Sequence, residues 1–313
     1  MKRKQSEAIS SGHGGTLLRG KYKKQEVLTA VLFLLPAFSI FIVFKYIPLL
    51  DNFRISMTSW NLFSPTKRFI GLQNFKSILT SDIFWQVLRN TLFFTFWSTV
   101  ISMVIGFFIA VLLFNRKGWG SKVLKTLFFI PNITTASAVA ILWIWIFDPD
   151  FGLSGQLFNL LGKQSPRWLL TPGYAMWIVI SLSVWRSIGY VMLIYSSGLA
   201  GINDEIYESA RIDGASSWQQ ITRITLPLLA PTTYFLLMTS FIQSMQVFDI
   251  VSVMTGGGPF NSTNVMNLYI YQTAFARSRA GYAAALSVIL FFMLLICTII
   301  QRRFSAMRGN DNA

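Results

Sequence analysis

Apolar residues gather in six long runs separated by short polar segments: 27–47, 88–114, 123–147, 174–199, 228–253 and 282–300. Each is close to or above the roughly 20 mostly apolar residues that cross a bilayer as a helix. Lipid offers the backbone no hydrogen-bond partner, and the runs are far too long for barrel strands. The pattern therefore predicts an all-α, polytopic membrane protein with about six spanning helices. Proline, glycine and polar residues interrupt three of the runs and leave their ends loose by several residues.

The polar segments set the expected layout. A basic tail occupies 1–26, the spanning region 27–303 and a short second tail 304–313. The run 27–47 is long and no small-residue cleavage site follows it, so it reads as a retained first helix rather than a removed signal peptide. With the N-terminus inside, the inner segments hold sixteen Lys and Arg and the outer ones nine, which predicts both termini in the cytoplasm. The outer segment 48–87 carries Trp60, Phe63, Phe69, Phe75, Phe84 and Trp85. These suit an interfacial aromatic belt or a surface for an external partner.

Composition narrows the class. Of 313 residues, 53% are hydrophobic and only 12% are charged, against about 25% charged in soluble chains. The formal charge of +15 raises nucleic acid as a partner. The basic residues lie between apolar runs, not on one polar domain, so membrane lipid headgroups and topology account for them better. One cysteine, Cys297, allows no internal disulfide, and one histidine, His13, leaves no basis for a metal site or His-based catalysis. The stretch Gly15-x4-Gly20-Lys21 has Tyr22 where a phosphate-binding loop needs Ser or Thr, and no buried strand precedes it. An ATPase site is therefore not expected in this chain.

Polar residues inside the runs are candidates for function, because they are costly in lipid and usually face a cavity. Thr239, Gln243 and Gln246 recur at four and three residues, which puts them on one helical face, and Asp249 follows about 60° round. Ser183, Arg186 and Tyr190 recur at three and four in the fourth run. These two faces either line a solute path or hold helices together, with Arg186 bound to a partner's carboxylate or to backbone carbonyls. Trp143, Trp145, Trp177 and Trp185 serve equally as stacking surfaces for a sugar or as interface anchors. An ion-coupled secondary transporter would need paired carboxylates at membrane depth, and the runs offer only Asp249 as a clear candidate. An intramembrane enzyme would need a cluster of His, Asp, Glu or Cys, which the runs lack.

The segment 203–227 is the longest mixed polar stretch on the inner side. Asn203 suits an N-cap, and Asp204 and Glu205 fall in a first turn where the helix dipole favours acids. Asp213-Gly214 reads as a turn, Ser216 or Ser217 as a second cap, and Pro227 as the start of the fifth span. Helix, turn and helix make a protrusion longer than the 2–8 residues that commonly join helices.

The run Glu208-Ser209-Ala210, three residues, Gly214, nine residues, Ile224-x-Leu226-Pro227 resembles the EAA motif of ABC importer permeases, with Ser209 in place of an alanine. Asn90-Thr91, Leu127 to Pro131, Gly256-Gly-Gly-Pro259, Ile270-Tyr271, Ala274-Phe275 and Gly281-Tyr282-Ala283 resemble the sugar-transporting branch of that family. The resemblance implies a type I ABC importer permease fold in the inner (cytoplasmic) membrane. It implies a permease subunit that translocates a carbohydrate, expected to be an oligosaccharide. The expected partners are a second permease in a heterodimer, two ATP-binding subunits and an extracytoplasmic solute-binding protein. ATP and magnesium would belong to the ATPases, with no cofactor in this chain. Glu208, Ser209, Ala210, Asp213 and Gly214 become the expected coupling positions, and Arg186, Tyr190, Thr239, Gln243, Gln246 and Asp249 the candidate solute path. Arg186 keeps an anionic solute open, such as glycerol phosphate or a uronate oligosaccharide.

Overall fold

The computed structural model describes residues 15–114 and 118–310, with side chains from 26 to 303 within those bounds. The tail up to Gly14 with His13, the basic pair Arg116 and Lys117, and residues 311–313 lie outside the described residues. The chain forms two compact units, Met1–Arg54 and Ile55–Ala313.

In the first unit, α1 (Gly15–Phe41) passes through a π-helical turn (Ile42–Tyr46) into α2 (Ile47–Ser56). The apolar stretch from Glu26 to Ser56 has 31 residues and a mean hydropathy of 2.7. At 1.5 Å per residue that is about 46 Å, ample for a span. The helix runs past residue 47, where the sequence pattern ends it. It widens just before Pro48, and a wider turn eases the clash of the proline ring with the preceding turn.

The second unit contains α3 (Gln73–Leu79), α4 (Asp82–Phe114), α5 (Trp119–Ile133), α6 (Ala136–Ile146), α7 (Leu153–Leu160), α8 (Pro172–Ala200), α9 (Asp204–Ile212), α10 (Ser217–Gln220), α11 (Leu226–Leu228), α12 (Ala230–Met245), α13 (Asp249–Met254), α14 (Met266–Tyr271) and α15 (Ala280–Asn310). Among the described residues, five helical stretches are long and apolar enough to cross a membrane alone. The α5–α6 pair makes a sixth if counted as one broken span.

That break corrects the expectation of one continuous helix over 123–147. The two halves meet at 98°. Pro131 removes one backbone donor near the end of α5, and the β-branched pair Thr134 and Thr135 takes extended conformations, ψ 144° and 126°. The Thr134 hydroxyl donates to the Ile130 carbonyl at 2.9 Å and satisfies an acceptor the break would orphan.

Three clusters make the core. Phe94, Val179, Ile180, Val184 and Val251 centre one; Met103, Phe107, Val191, Tyr195 and Leu236 another; Phe84, Met245, Tyr269 and Leu286 the third. The α4 helix enters them with a buried row of hydroxyls, Thr91, Thr95, Ser98, Thr99 and Ser102. Small polar side chains let helices approach closely and bond across the seam, as Ser98 does by donating to the Ser244 hydroxyl at 3.1 Å. Helix α8 presents Gly189 to α5, where any Cβ would collide with the Phe128 carbonyl oxygen.

Candidate functional site

Helices α4, α5, α6, α8 and α12 and the kink before α13 line a half-open cavity of about 250 Å³. Irregular backbone at membrane depth is tolerated where it is covered by protein or lines a cavity, and two interruptions meet here. One is the break between α5 and α6. The other follows Met245, where Gln246 and Phe248 leave helical geometry (φ −100°, ψ 13° and φ −140°, ψ −59°) before α13 resumes. The kink swings Asp249 away from where an unbroken helix would carry it, so the simple wheel that related Asp249 to Gln246 does not apply.

Five of the six path candidates line this one cavity: Arg186, Tyr190, Gln243, Gln246 and Asp249. Thr239 does not; its hydroxyl donates to the Phe235 carbonyl at 2.9 Å within α12. Ser183 lines it as well. Arg186 Nη2 donates to the Thr134 carbonyl at 3.0 Å, at the break. Arg186 Nε is buried with no partner among the described residues. Asn132 Nδ2 reaches back to the Arg186 carbonyl at 3.5 Å, and Asn267 Nδ2 donates to the Gln246 carbonyl at 2.7 Å. The cavity thus sets one cation, one carboxylate, three side-chain amides and several hydroxyls beside the rings of Phe94 and Phe248. That set can bind a polyhydroxylated solute by hydrogen bonds and ring contact.

Sequence reasoning missed Asn132, Ser187, Ser240, Ser244 and Phe248 as lining residues. The usable signal for Asn132 is its place beside Pro131, whereas no residue type marks the kink at Phe248. The serines carry no signal, since Ser within an apolar run reads the same in a wall and in a seam.

The second candidate is the segment between α8 and α12. The Asn203 side chain accepts from the Glu205 backbone N–H at 3.1 Å and starts α9. The helix ends in a Schellman motif: the Ala215 N–H bonds the Ala210 carbonyl at 2.9 Å and the Gly214 N–H bonds Arg211 at 3.1 Å. Gly214 stands at φ +79°, in the left-handed region that a side chain disfavours. Ser216 then starts α10 with a full capping box to Gln219. Ile212 and Trp218 project, 86% and 62% exposed. Glu208, Ser209 and Asp213 are exposed and Ala210 is half-buried. The N-cap belongs to Asn203, and the exposed Glu208 makes no hydrogen bond or ion pair among the described residues.

Residues 102–307 match the family described as binding-protein-dependent transport system inner membrane component. The chain belongs to this family. As an ABC importer permease it has near relatives of its own length. The probable ABC transporter permease protein YurN of Bacillus subtilis is 32% identical over 90% of this chain and 97% of that one. The trehalose/maltose transport system permease protein MalF of Thermococcus litoralis is 31% identical over 93% and 98%. Among solved structures, a bacterial alginate ABC transporter, crystallised in complex with an alginate pentasaccharide-bound periplasmic protein, contains a chain that superposes with a TM-score of 0.80. It is 25% identical, and the match covers 91% of this permease and 96% of that chain. The family description places the permease in the inner membrane, in agreement with its apolar helices.

Proposed function

We propose that this permease forms half of the channel of an oligosaccharide importer. A second permease supplies the other half, two separate ATPase subunits drive it with ATP and magnesium, and an extracytoplasmic binding protein delivers the solute. Both termini face the cytoplasm in this reading. The observation that carries it is the cavity at the two helix interruptions, whose amides, hydroxyls and rings suit sugar hydroxyls and C–H faces. The trehalose/maltose and alginate relatives support the carbohydrate class. The free Glu208 and the projecting Ile212 and Trp218 on a rigid, capped loop support its role as the contact to the ATPase. Deleting residues 208–214 is expected to abolish sugar uptake while the protein remains in the membrane. Uptake that persists in that variant overturns the coupling role.

An anionic solute is the second reading, favoured by the Arg186 Nε that is buried without a partner among the described residues. A permease of the sn-glycerol-3-phosphate transport system from Yersinia pestis is 30% identical over 87% of this chain and supports it. Uptake compared between a neutral trisaccharide, a trisaccharide of uronates and glycerol phosphate decides between the two. Under the second reading Arg186→Gln abolishes uptake of the anion.

A further inference from the structure

We propose that Tyr271 and Phe275 form an aromatic approach to the cavity, a subsite that stacks a pyranose ring before it reaches the polar residues around Gln246. The inference rests on the carbohydrate reading above. Tyr271 ends α14, and Phe275 lies one turn further on in the π-helical continuation Gln272–Ala276. Their ring centroids are 5.1 Å apart, and they are 48% and 62% exposed. The Tyr271 ring is in turn 5.2 Å from Phe248, which lines the cavity. Three rings therefore make a continuous row from the cavity wall to the open surface beside Arg277.

The row is held firmly from behind. Asn267 anchors α14 to the cavity wall through the Gln246 carbonyl at 2.7 Å. Gln272 donates to the Gly256 carbonyl and accepts from Asn264, both at 3.0 Å. Tyr271 is thus a fixed ring with open surface, and its hydroxyl makes no hydrogen bond among the described residues. A pyranose has one chemistry on its faces and another on its rim. The C–H groups of a face are polarised positive and suit the negative face of an aromatic ring, while rim hydroxyls seek donors and acceptors. Rings backed by amides answer both demands. A row of rings also binds each sugar unit in a similar way, which suits a solute that must move along it rather than stop.

The test uses a strain lacking the gene for this chain, complemented with wild type or variants, with the other importer subunits in place. Initial uptake of labelled maltotriose, cellotriose, xylotriose and a trisaccharide of uronates is measured, and the sugar whose uptake the wild type restores becomes the probe. Replacing both rings by leucine (Tyr271→Leu with Phe275→Leu) keeps the apolar bulk and removes the π faces. It is expected to slow uptake of the probe roughly tenfold at saturating sugar. Tyr271→Phe with Phe275→Trp, which keeps the π faces, slows uptake far less than the double leucine change, and both double variants are present in the membrane and co-purify with the second permease as the wild type does. A wild-type rate in the double leucine variant overturns the approach while leaving the carbohydrate reading intact. A slow rate accompanied by loss of the second permease also overturns it and makes the pair a subunit contact. If the wild type restores none of the four sugars, the carbohydrate reading falls and the inference falls with it.

Discussion

The hydroxyls of Tyr207 and Thr225 lie 3.0 Å apart across eighteen residues of sequence. Tyr207 is on α9, the helix that carries Glu208 and ends at Gly214. Thr225 is buried at the end of the π-helical turn Ile221–Thr225 that leads to Pro227 and α12. The Thr225 hydroxyl donates to the Gln220 carbonyl at 3.1 Å, so Tyr207 is the donor between the two. The protruding loop is thereby bonded to the foot of the fifth span.

Removing either hydroxyl should cut that joint. A typical buried hydrogen bond contributes about 1 kcal/mol, and an orphaned partner costs more. Tyr207→Phe and Thr225→Val are each expected to lower transport several-fold in the assembled importer, with ATP hydrolysis reduced less than transport. The double variant should be no worse than the poorer single one, because both remove the same contact. Transport and ATP turnover measured together in proteoliposomes check this, and additive losses would count against a shared joint.

Gly214 is the second point where the loop is vulnerable. At φ +79° with open space around its α-carbon, the obstacle to a side chain is backbone strain and not collision. Left-handed geometry costs roughly 1–2 kcal/mol for an ordinary residue and less for asparagine. Gly214→Val should therefore unwind the end of α9, and Gly214→Asn should be nearly neutral. Limited proteolysis of membranes reads this directly, as faster cleavage within 208–216 for the valine variant only.

Parts of this architecture are legible in the sequence because their causes are local. Asn203, Ser216 and Gly214 each act within four residues of their position, and the structure places their caps and turn where the residue types predict them. The six apolar stretches are legible for the same reason, since each span answers to lipid on its own. The bend between α5 and α6 is legible only in part: Pro131 and the Thr134–Thr135 pair mark where the helix can break, but the 98° angle depends on distant contacts such as that of Arg186, 52 residues further on, with the Thr134 carbonyl. The kink after Met245 carries no Pro or Gly to mark it, so the sequence does not announce that the helical wheel relating Asp249 to Gln246 is interrupted there. Thr239 shows the converse. Its spacing matches that of Gln243, yet its hydroxyl is satisfied by its own helix.

Gly189 offers a test of helix contact rather than loop geometry. A Cβ there would strike the Phe128 carbonyl oxygen and the α-carbon of Phe129, which are backbone atoms that no rotamer change can clear. Forcing extra volume into a packed seam costs typically 1–3 kcal/mol. Gly189→Ala should lower the thermal unfolding temperature of the detergent-solubilised permease. Gly173→Ala, where nothing lies within 4 Å of the added carbon, should not. Equal stability of the two variants would mean that α5 and α8 do not approach as closely as described.

The turn Pro259–Ser262 yields the opposite expectation, a substitution that does not destabilise. The Ser262 N–H bonds the Pro259 carbonyl at 2.9 Å, and the two central residues stand at φ +50° (Phe260) and φ +59° (Asn261). Two-residue turns of this hand strongly favour glycine, asparagine and aspartate, so a phenylalanine there is strained. The conformation is imposed from outside: Gln86 donates to the Phe260 carbonyl at 3.0 Å and Asn90 to the Asn261 carbonyl at 2.8 Å. The Phe260 ring is 87% exposed, so little burial opposes its removal. Relief of left-handed strain, about 1–2 kcal/mol, exceeds or matches the entropy that a new glycine loses on folding, about 1 kcal/mol. Phe260→Gly should therefore unfold at or above the wild-type temperature, whereas Phe260→Val, β-branched in the same geometry, should unfold below it. Thermal melts of both in one detergent check the order, and a fall of more than about 2 °C for the glycine variant would show that the ring is packed after all.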